Sequence, residues 1–326
     1  MTNKYQISII TQSHELPPMT CKDFFHSTEL FVIMEQTPGM KPYMVVAKND
    51  GGAVRSHLLT ILRRRGALMP PYVFTQGRSY GEGDYEDPAE KDELFALMLH
   101  AITRHLIRWR CLYIEFSDIS QKMFGYRWFR KNAYIPVPWQ HIHNSHHSKK
   151  PEMRITKKAF SRVHRAMEAG IVTREVESED EVKAFYKQLR KYYRFRYQRH
   201  IPPQQFFLNM SKQANCHIYV TLYKNRIIGG SLCIYSDGNA FIWFHFAKNK
   251  SYPLLHPAYP TIWNALQTAY DDQQQHTFFM NVGLPYKRNR LREFILSFGG
   301  KPVGTYRWFR FAFNWLNRLV AWFYAE

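Results

Sequence analysis

Residues 217–247 read HIYVTLYKNRIIGGSLCIYSDGNAFIWFHFA. β-Branched and aromatic residues fill three runs, separated by two short polar breaks, KN at 224–225 and DGN at 237–239. Breaks of that length and chemistry suit tight hairpin turns, so the stretch predicts a three-stranded antiparallel meander. Upstream, TKKAFSRVHRAMEAG (156–170) predicts a helix with Thr156 as N-cap and Gly170 past its end. IVTREVE (171–177) predicts a strand. SEDEVKAFYKQLRKYYRFR (178–196) predicts a helix opened by the capping box of Ser178 and Glu181. PPQQFFLNMSKQAN (202–215) predicts a helix with proline in its first turn. Downstream come a helix over 257–272, a strand HTFFMNV (276–282), a helix RLREFILSF (290–298) and a strand KPVGTYRWFRF (301–311). That order implies an α+β fold (α/β layers) with helices packed on a mixed sheet.

The first half repeats much of this order. YQISIIT (5–11) reads as a strand and CKDFFHSTELFVIM (21–34) as helical. YMVVAK (43–48) and AVRSHLLTILRR (53–64) form a hairpin around NDGG, and YVFTQ (72–76) is a third strand. A helix over 88–109, a strand CLYIEFSD (111–118), a short helix over 120–131 and a strand AYIPVPW (133–139) follow. CLYIEFSDISQKMFGYRWFRKNAYIPVPW (111–139) aligns with HTFFMNVGLPYKRNRLREFILSFGGKPVGTYRW (276–308). Each is strand, loop, basic aromatic helix, strand, which implies an internal duplication. The polar stretch QHIHNSHHSKKPE (140–152) reads as the boundary. The expected domains are 1–145 as a substrate platform, 146–310 as the catalytic copy, and 311–326 as a C-terminal helix.

The element order in 156–310 resembles the GNAT N-acetyltransferase fold. The tandem arrangement resembles the FemAB family of peptidoglycan-bridge aminoacyltransferases and their acetyltransferase-like relatives. The resemblance rests on AFSRVHRAMEAGI, the 217–247 meander, NVGLPYKRN (281–289) and FGGKPVGTYRWFR (298–310). It implies two tandem GNAT-like domains that transfer an acyl or aminoacyl group to an amine, such as one on a cell-wall or envelope precursor. The implied co-substrate is acyl-CoA or aminoacyl-tRNA, with no tightly bound cofactor. Two departures stand out. Coenzyme A-using members carry an Arg/Gln-x-x-Gly-x-Gly/Ala turn after the fourth strand, whose backbone amides hold pyrophosphate. Here the joint is AKNKSYPLLHPAYP (247–260), without glycine. Lys248, Lys250 and Ser251, with the following helix N-terminus, are the remaining candidates for phosphate contact, and the balance shifts towards aminoacyl-tRNA. The chain also has no room for the long coiled-coil arm of some members.

Lys+Arg total 45 against Asp+Glu 26, a formal net charge of +19. That surplus favours anionic partners, tRNA or an acidic membrane surface among them. Cys21, Cys111, Cys216 and Cys233 are scattered without a CxxC pair, as expected in a reducing, cytoplasmic compartment. The N-terminal apolar run is too short for a signal peptide, and no run of about 18 uncharged apolar residues predicts a transmembrane helix.

The resemblance places Tyr286 and Lys287, after the fifth strand of the second repeat, at the reaction centre. A fixed ammonium there would stabilise the oxyanion of ester or thioester aminolysis. Arg288 and Arg290 would meet phosphate or carboxylate; the alternative is a solvated basic turn. RKYYRFRYQRH (190–200) offers Arg194, Arg196 and Tyr197 as substrate contacts, or else a helix end with arginine stems over apolar surface. QGRSYGEGDYED (76–87) contains Arg78-x-x-Gly81-x-Gly83, but Asp84, Glu86 and Asp87 would repel phosphate. It reads as a substrate-lining loop with Arg78, or as a structural glycine loop. His141, His143, His146 and His147 lack acidic or cysteine partners nearby, so no metal site is expected. No nucleophile elbow is present, and no general base stands out.

In the tail, Phe311, Trp315, Leu319 and Trp322 would share one helical face. They suit contact with the inner membrane surface, with docking on the first domain or a dimer contact as the alternatives. A non-catalytic module that binds RNA or an anionic membrane is the competing reading of the whole chain.

Overall fold

A computed structural model describes residues 4–68, 71–108, 111–117, 123–147, 149–194, 200–280, 282, 284–285 and 289–324, with backbone alone at 65, 67, 68, 71, 72 and 108. Two compact units form, residues 1–139 with 304–326, and residues 140–303.

The first unit begins with β1 (Tyr5–Ile10), α1 (Thr28–Glu35), β2 (Met40–Asn49), β3 (Val54–Leu68), β4 (Pro71–Tyr80) and the short β5 (Asp84–Tyr85). It continues with α2 (Lys91–Arg108), β6 (Tyr113–Ser117), α3 (Tyr126–Lys131) and the start of β7 (Ile135–Ser145). In the second unit follow α4 (Lys157–Glu168), β8 (Ile171–Glu175), α5 (Glu179–Tyr193), α6 (Gln204–Met210), β9 (Cys216–Tyr223), β10 (Arg226–Ser236) and β11 (Asn239–Ala247). Then come α7 (Ala258–Asp271), β12 (His276–Phe279), α8 (Arg290–Leu296) and β13 (Lys301–Phe311), and the chain closes with α9 (Asn314–Phe323).

The strand order of the first unit is β1-β2-β3-β4-β6-β13, and that of the second is β8-β9-β10-β11-β12-β7. The two orders match, with β4·β6 and β11·β12 as the parallel pairs. The α+β class and the tandem GNAT-like architecture stand. The last strand of each sheet, however, comes from the other half of the sequence. Phe279 pairs with Ile142 and His276 with Ser145, so the end of β7 completes the second sheet. Trp308 pairs with Phe116 and Phe311 with Tyr113, so β13 completes the first.

The compact units therefore differ from the expected ranges 1–145 and 146–310, and residues 140–145 are strand rather than linker. The polar side chains there misled the reading, because a strand needs only one apolar face. Ile142 is buried, Asn144 donates to the Phe298 carbonyl at 2.8 Å, and His146 meets the Thr277 hydroxyl at 2.8 Å.

Local chemistry explains most elements. Both meander turns use left-handed residues, Lys224 and Asn225 in one, Asp237 and Gly238 in the other. Such turns match the twist of the flanking strands. Thr156 caps α4, Ser178 caps α5 and Ser27 caps α1, each through its side-chain oxygen. Residues 21–34 are not one helix: Phe24–His26 form a 3₁₀ turn before Ser27 starts α1. In the first unit, Phe95, Phe116, Phe129, Tyr134 and Trp308 form an aromatic core beneath α2 and α3. In the second, Val163, Ile242, Ile262, Leu266 and Phe298 are among the buried residues that hold α4 and α7 to the sheet. All four cysteines are free, and burial pushes the Cys111 thiol up to about 11 and Cys233 up to about 12. They behave as small apolar residues.

Gly299 has φ of +85°, and a Cβ there would strike the Arg154 carbonyl. Gly299→Ala is expected to destabilise the protein by about 3 kcal/mol in urea denaturation, since left-handed strain and a backbone collision add.

Buried histidines set an acid limit. Burial lowers His26, His57 and His146 from 6.5 to about 4. At His26, backbone N–H groups of Leu59 and Gly83 approach Nδ1 and Nε2, each at 3.0 Å; a neutral ring can accept from one of them and a doubly protonated ring from neither. The unfolded chain binds more protons than the folded one between about pH 6.5 and 4. The stabilisation from the neutral rings is thus present above pH 6.5 and lost as pH falls towards 4. The thermal midpoint should drop over that window, and His57→Gln should reduce its pH slope.

Candidate active site

In the second unit, among the described residues β11 pairs with β12 from Asn239↔His276 to Ile242↔Phe279. β12 stops there, while β11 runs on to Ala247, held by β10 on its other side. Leu232 faces Phe244 and Cys233 faces Ile242, so Trp243 is the extra residue of a β-bulge. A bulge disrupts the ladder and re-aims the strand beyond it. Among the described residues, β12 pairs with β11 no further than Ile242, and the two strands part there. The His245 carbonyl accepts from the Tyr193 hydroxyl at 3.0 Å. The first unit is built differently. β4 pairs with β6 through its last residue, Tyr80↔Ser117, and leaves no such run-on.

The joint after β12 is clasped from its far end. Asn289 Nδ2 donates to the Val282 carbonyl at 2.8 Å, while its Oδ1 accepts from the N–H groups of Leu291 and Arg292. Arg292 Nη1 donates to the Leu284 carbonyl at 2.7 Å. Val282 is fully buried. One asparagine thus caps α8 and ties the loop that should carry the reaction centre. Tyr286, Lys287 and Arg288, the candidates within that loop, lie outside the described residues.

The turn from β11 to α7 is occupied by its own contacts. Lys248 Nζ donates to the Ile227 carbonyl at 2.9 Å, and burial lowers its pKa, with Lys191 adding repulsion. The first amide of α7, at Ala258, donates to Asn249 Oδ1 at 3.2 Å. Lys250 and Ser251 are exposed. Of the three phosphate candidates, Lys248 is committed to backbone, while Lys250 and Ser251 face solvent.

Arg194 is the exposed C-cap of α5. Arg196 and Tyr197 fall outside the described residues. Arg78 lies on β4 rather than in a loop. Its guanidinium sits 3.5 Å from Glu115 and 3.1 Å from the Ser117 hydroxyl, and stacks over Tyr80 at 4.4 Å. Glu115 also accepts from Gln76 at 2.6 Å and faces Arg307 at 3.4 Å, while Arg63 Nη2 donates to Gln76 at 2.8 Å. The acidic residues after Arg78 are used internally: Asp84 accepts backbone N–H groups of Lys22 and Asp23, and Asp87 caps a 3₁₀ turn. The glycine loop thus has a structural role. Sequence reasoning passed over Gln76, Glu115, Arg307 and Asn289. Polar residues two apart on strands, Gln76 with Arg78 and Glu115 with Ser117, were the available signal, as was an asparagine directly before a helix.

Residues 155–288 match the family model described as an acetyltransferase (GNAT) domain. The second unit has the GNAT fold. Solved structures share the fold across the chain. FemX superposes with a TM-score of 0.63 at 10% identity, covering 92% of this chain and 94% of that one. L-PGS from Bacillus licheniformis gives 0.59 at 10% identity, covering 91% and 92%. A tandem GNAT protein from the clavulanic acid biosynthesis pathway gives 0.54 at 11%, covering 94% and 99%. No curated protein matches the chain. The matched residues include the point where β11 and β12 part and the start of the clasped joint. Among the described residues no group of histidine, cysteine, aspartate or glutamate is arranged to hold a metal, and no helix is long and apolar enough to cross a membrane.

Asn289→Ala should cost about 1–2 kcal/mol as a lost cap, with more when the Val282 tie is counted. Hydrogen exchange should rise in 290–296 first, and restoration of the cap alone by Asn289→Ser should recover only part of the loss.

Proposed function

We propose that the protein is an N-acyltransferase that moves an aminoacyl or acyl group from an activated ester or thioester to an amine, with the chemistry in the GNAT domain. The observation that carries this reading is the match of residues 155–288 to the acetyltransferase (GNAT) domain model, supported by the Asn289 and Arg292 ties on the joint after β12. Lys287, with Tyr286 beside it, would stabilise the tetrahedral oxyanion, and the neutral amine would attack as the alcohol or thiol leaves. Arg194, Arg196, Tyr197 and Arg288 are assigned to the substrates, with Arg78 kept as a platform residue.

Aminoacyl-tRNA is our preferred donor. The turn before α7 lacks glycine, Lys248 is committed to Ile227, and the Ala258 amide is committed to Asn249, which leaves little for a pyrophosphate. The net charge of +19 suits a polyanionic donor. The C-terminal domain of a putative lysylphosphatidylglycerol synthetase from Agrobacterium fabrum shares the fold, with a TM-score of 0.57 at 9% identity, and its name supports an aminoacyl group as the one transferred. We further propose a cytoplasmic protein that works at the inner membrane surface, touching it through α9, with an amine-bearing envelope precursor as acceptor.

The test is transfer from labelled aminoacyl-tRNA and from acyl-CoA to a panel of amines. Turnover with aminoacyl-tRNA is expected, and Lys287→Ala should lower kcat by about 100-fold with little change in KM. Unchanged kcat would remove Lys287 from the mechanism. Turnover with acyl-CoA alone would replace the donor. Saturable binding without transfer from either donor would mean a non-catalytic module.

A further inference from the structure

α9 packs inward through half-buried Leu316, Val320 and Ala321 around one buried polar residue, while Asn314 and Arg318 are exposed. Asn317 is the buried residue of the helix: its Nδ2 donates to the Ala133 carbonyl at 2.8 Å and its Oδ1 accepts from Phe311 N–H at 3.1 Å. On the opposite face, Trp315, Leu319 and Trp322 point to solvent, and Trp315 and Trp322 are 66% and 72% exposed. Phe313 and Phe323 extend the patch at 55% and 68% exposed. An ordinary surface helix buries its apolar stripe. A patch of this size with two tryptophans outward marks a contact surface.

Beside the helix lies a groove of about 570 Å³ lined by Thr103, Arg104, Ile107, Asn132 and Arg310. Arg310 links groove and helix, since its Nη2 donates to Asn314 Oδ1, the first residue of α9, at 3.0 Å. Its Nε is buried without a hydrogen-bond partner among the described residues. The lining holds two guanidinium groups and no carboxylate. Residues 304–324 hold three arginines and no acidic residue.

We propose that the Arg104–Arg310 groove is a headgroup site for an anionic phospholipid, which α9 reaches by laying Trp315, Leu319 and Trp322 into the interfacial layer. This rests on the proposed membrane contact of α9 and assigns it a specific lipid contact. Tryptophan and arginine on one outward face match the chemistry of that layer, where rings sit among headgroups and cations meet phosphate. A second copy of the chain is a poorer occupant. It would bring a net charge of +19 against another +19. The Arg104 guanidinium fork suits a phosphodiester, and Arg310, held by the Phe311 carbonyl and Asn314, adds a fixed positive charge beside it.

The experiment is flotation of the full chain with phosphatidylcholine vesicles, with and without phosphatidylglycerol, alongside titration with water-soluble dihexanoyl-phosphatidylglycerol below its micelle concentration and with inorganic phosphate. Wild type should float with the anionic vesicles. Arg104→Gln should weaken that binding about fivefold, more than the control Lys41→Gln, an exposed lysine on β2. Trp315→Ala/Trp322→Ala should weaken it by more than about tenfold. The soluble lipid should perturb Arg104 and Arg310 signals in wild type, and inorganic phosphate should not. Equal losses in Arg104→Gln and Lys41→Gln, with the tryptophan pair still required, would remove the headgroup site and leave the surface contact standing. An equal response to inorganic phosphate would make it a general anion site and overturn the lipid assignment. No flotation of wild type would overturn the surface contact itself. A dimer lost in the tryptophan variant would assign the face to a second copy and overturn both.

Discussion

Trp308 lies parallel to Phe129 with ring centroids 4.4 Å apart, and is fully buried. Tyr126 meets it edge-on at 5.3 Å, and Phe129 in turn contacts Phe95, Phe116 and Tyr134. Aromatic side chains of this size dominate core energetics, and their loss from a closed core costs several kcal/mol. Trp308 belongs to the second copy of the duplicated sequence, yet it completes the core of the first unit. That one burial assigns β13 to the first sheet. Its counterpart is the pairing of β7 with β12, where Ile142 enters the second core. Each half of the sequence thus lacks one strand of its own sheet and receives it from the other.

The duplication supplies the same strand order twice, and the difference between the copies lies in how the parallel pair ends. β4 and β6 finish together at Tyr80 and Ser117, whereas β11 outlasts β12 after the bulge at Trp243. The first sheet uses its polar face for a closed network around Glu115. Buried ionic groups of that kind are costly to disturb and are suited to a fixed platform. In the second sheet β11 and β12 part beside a joint tied by Asn289 and Arg292.

Charge acts at two ranges. The surplus of +19 is a property of the whole surface and bears on polyanionic partners. Two of the individual cations that looked available are engaged: Arg78 with Glu115 and Lys248 with Ile227. Cationic side chains in a sequence cannot be divided by type into those that hold the fold and those that hold a ligand, because both tasks use the same donors.

The sequence by itself determined the elements that local physics controls. Hairpin turns at 224–225 and 237–238, caps at Thr156 and Ser178, helical and strand periodicity, and the internal repeat were all legible, because each depends on residues within a few positions of one another. So was the mixed architecture that follows from their order. The strand at 140–145 was not, since its polar side chains find partners only in Phe298 and Thr277, far along the chain. Tertiary structure alone decided that β7 and β13 complete each other's sheets, that Arg78 serves Glu115, that β11 outlasts β12, and that α9 turns its tryptophans outward. These outcomes depend on which distant surfaces meet, and the free energy of burial at Trp308 or Asn317 is set by partners that no local window contains.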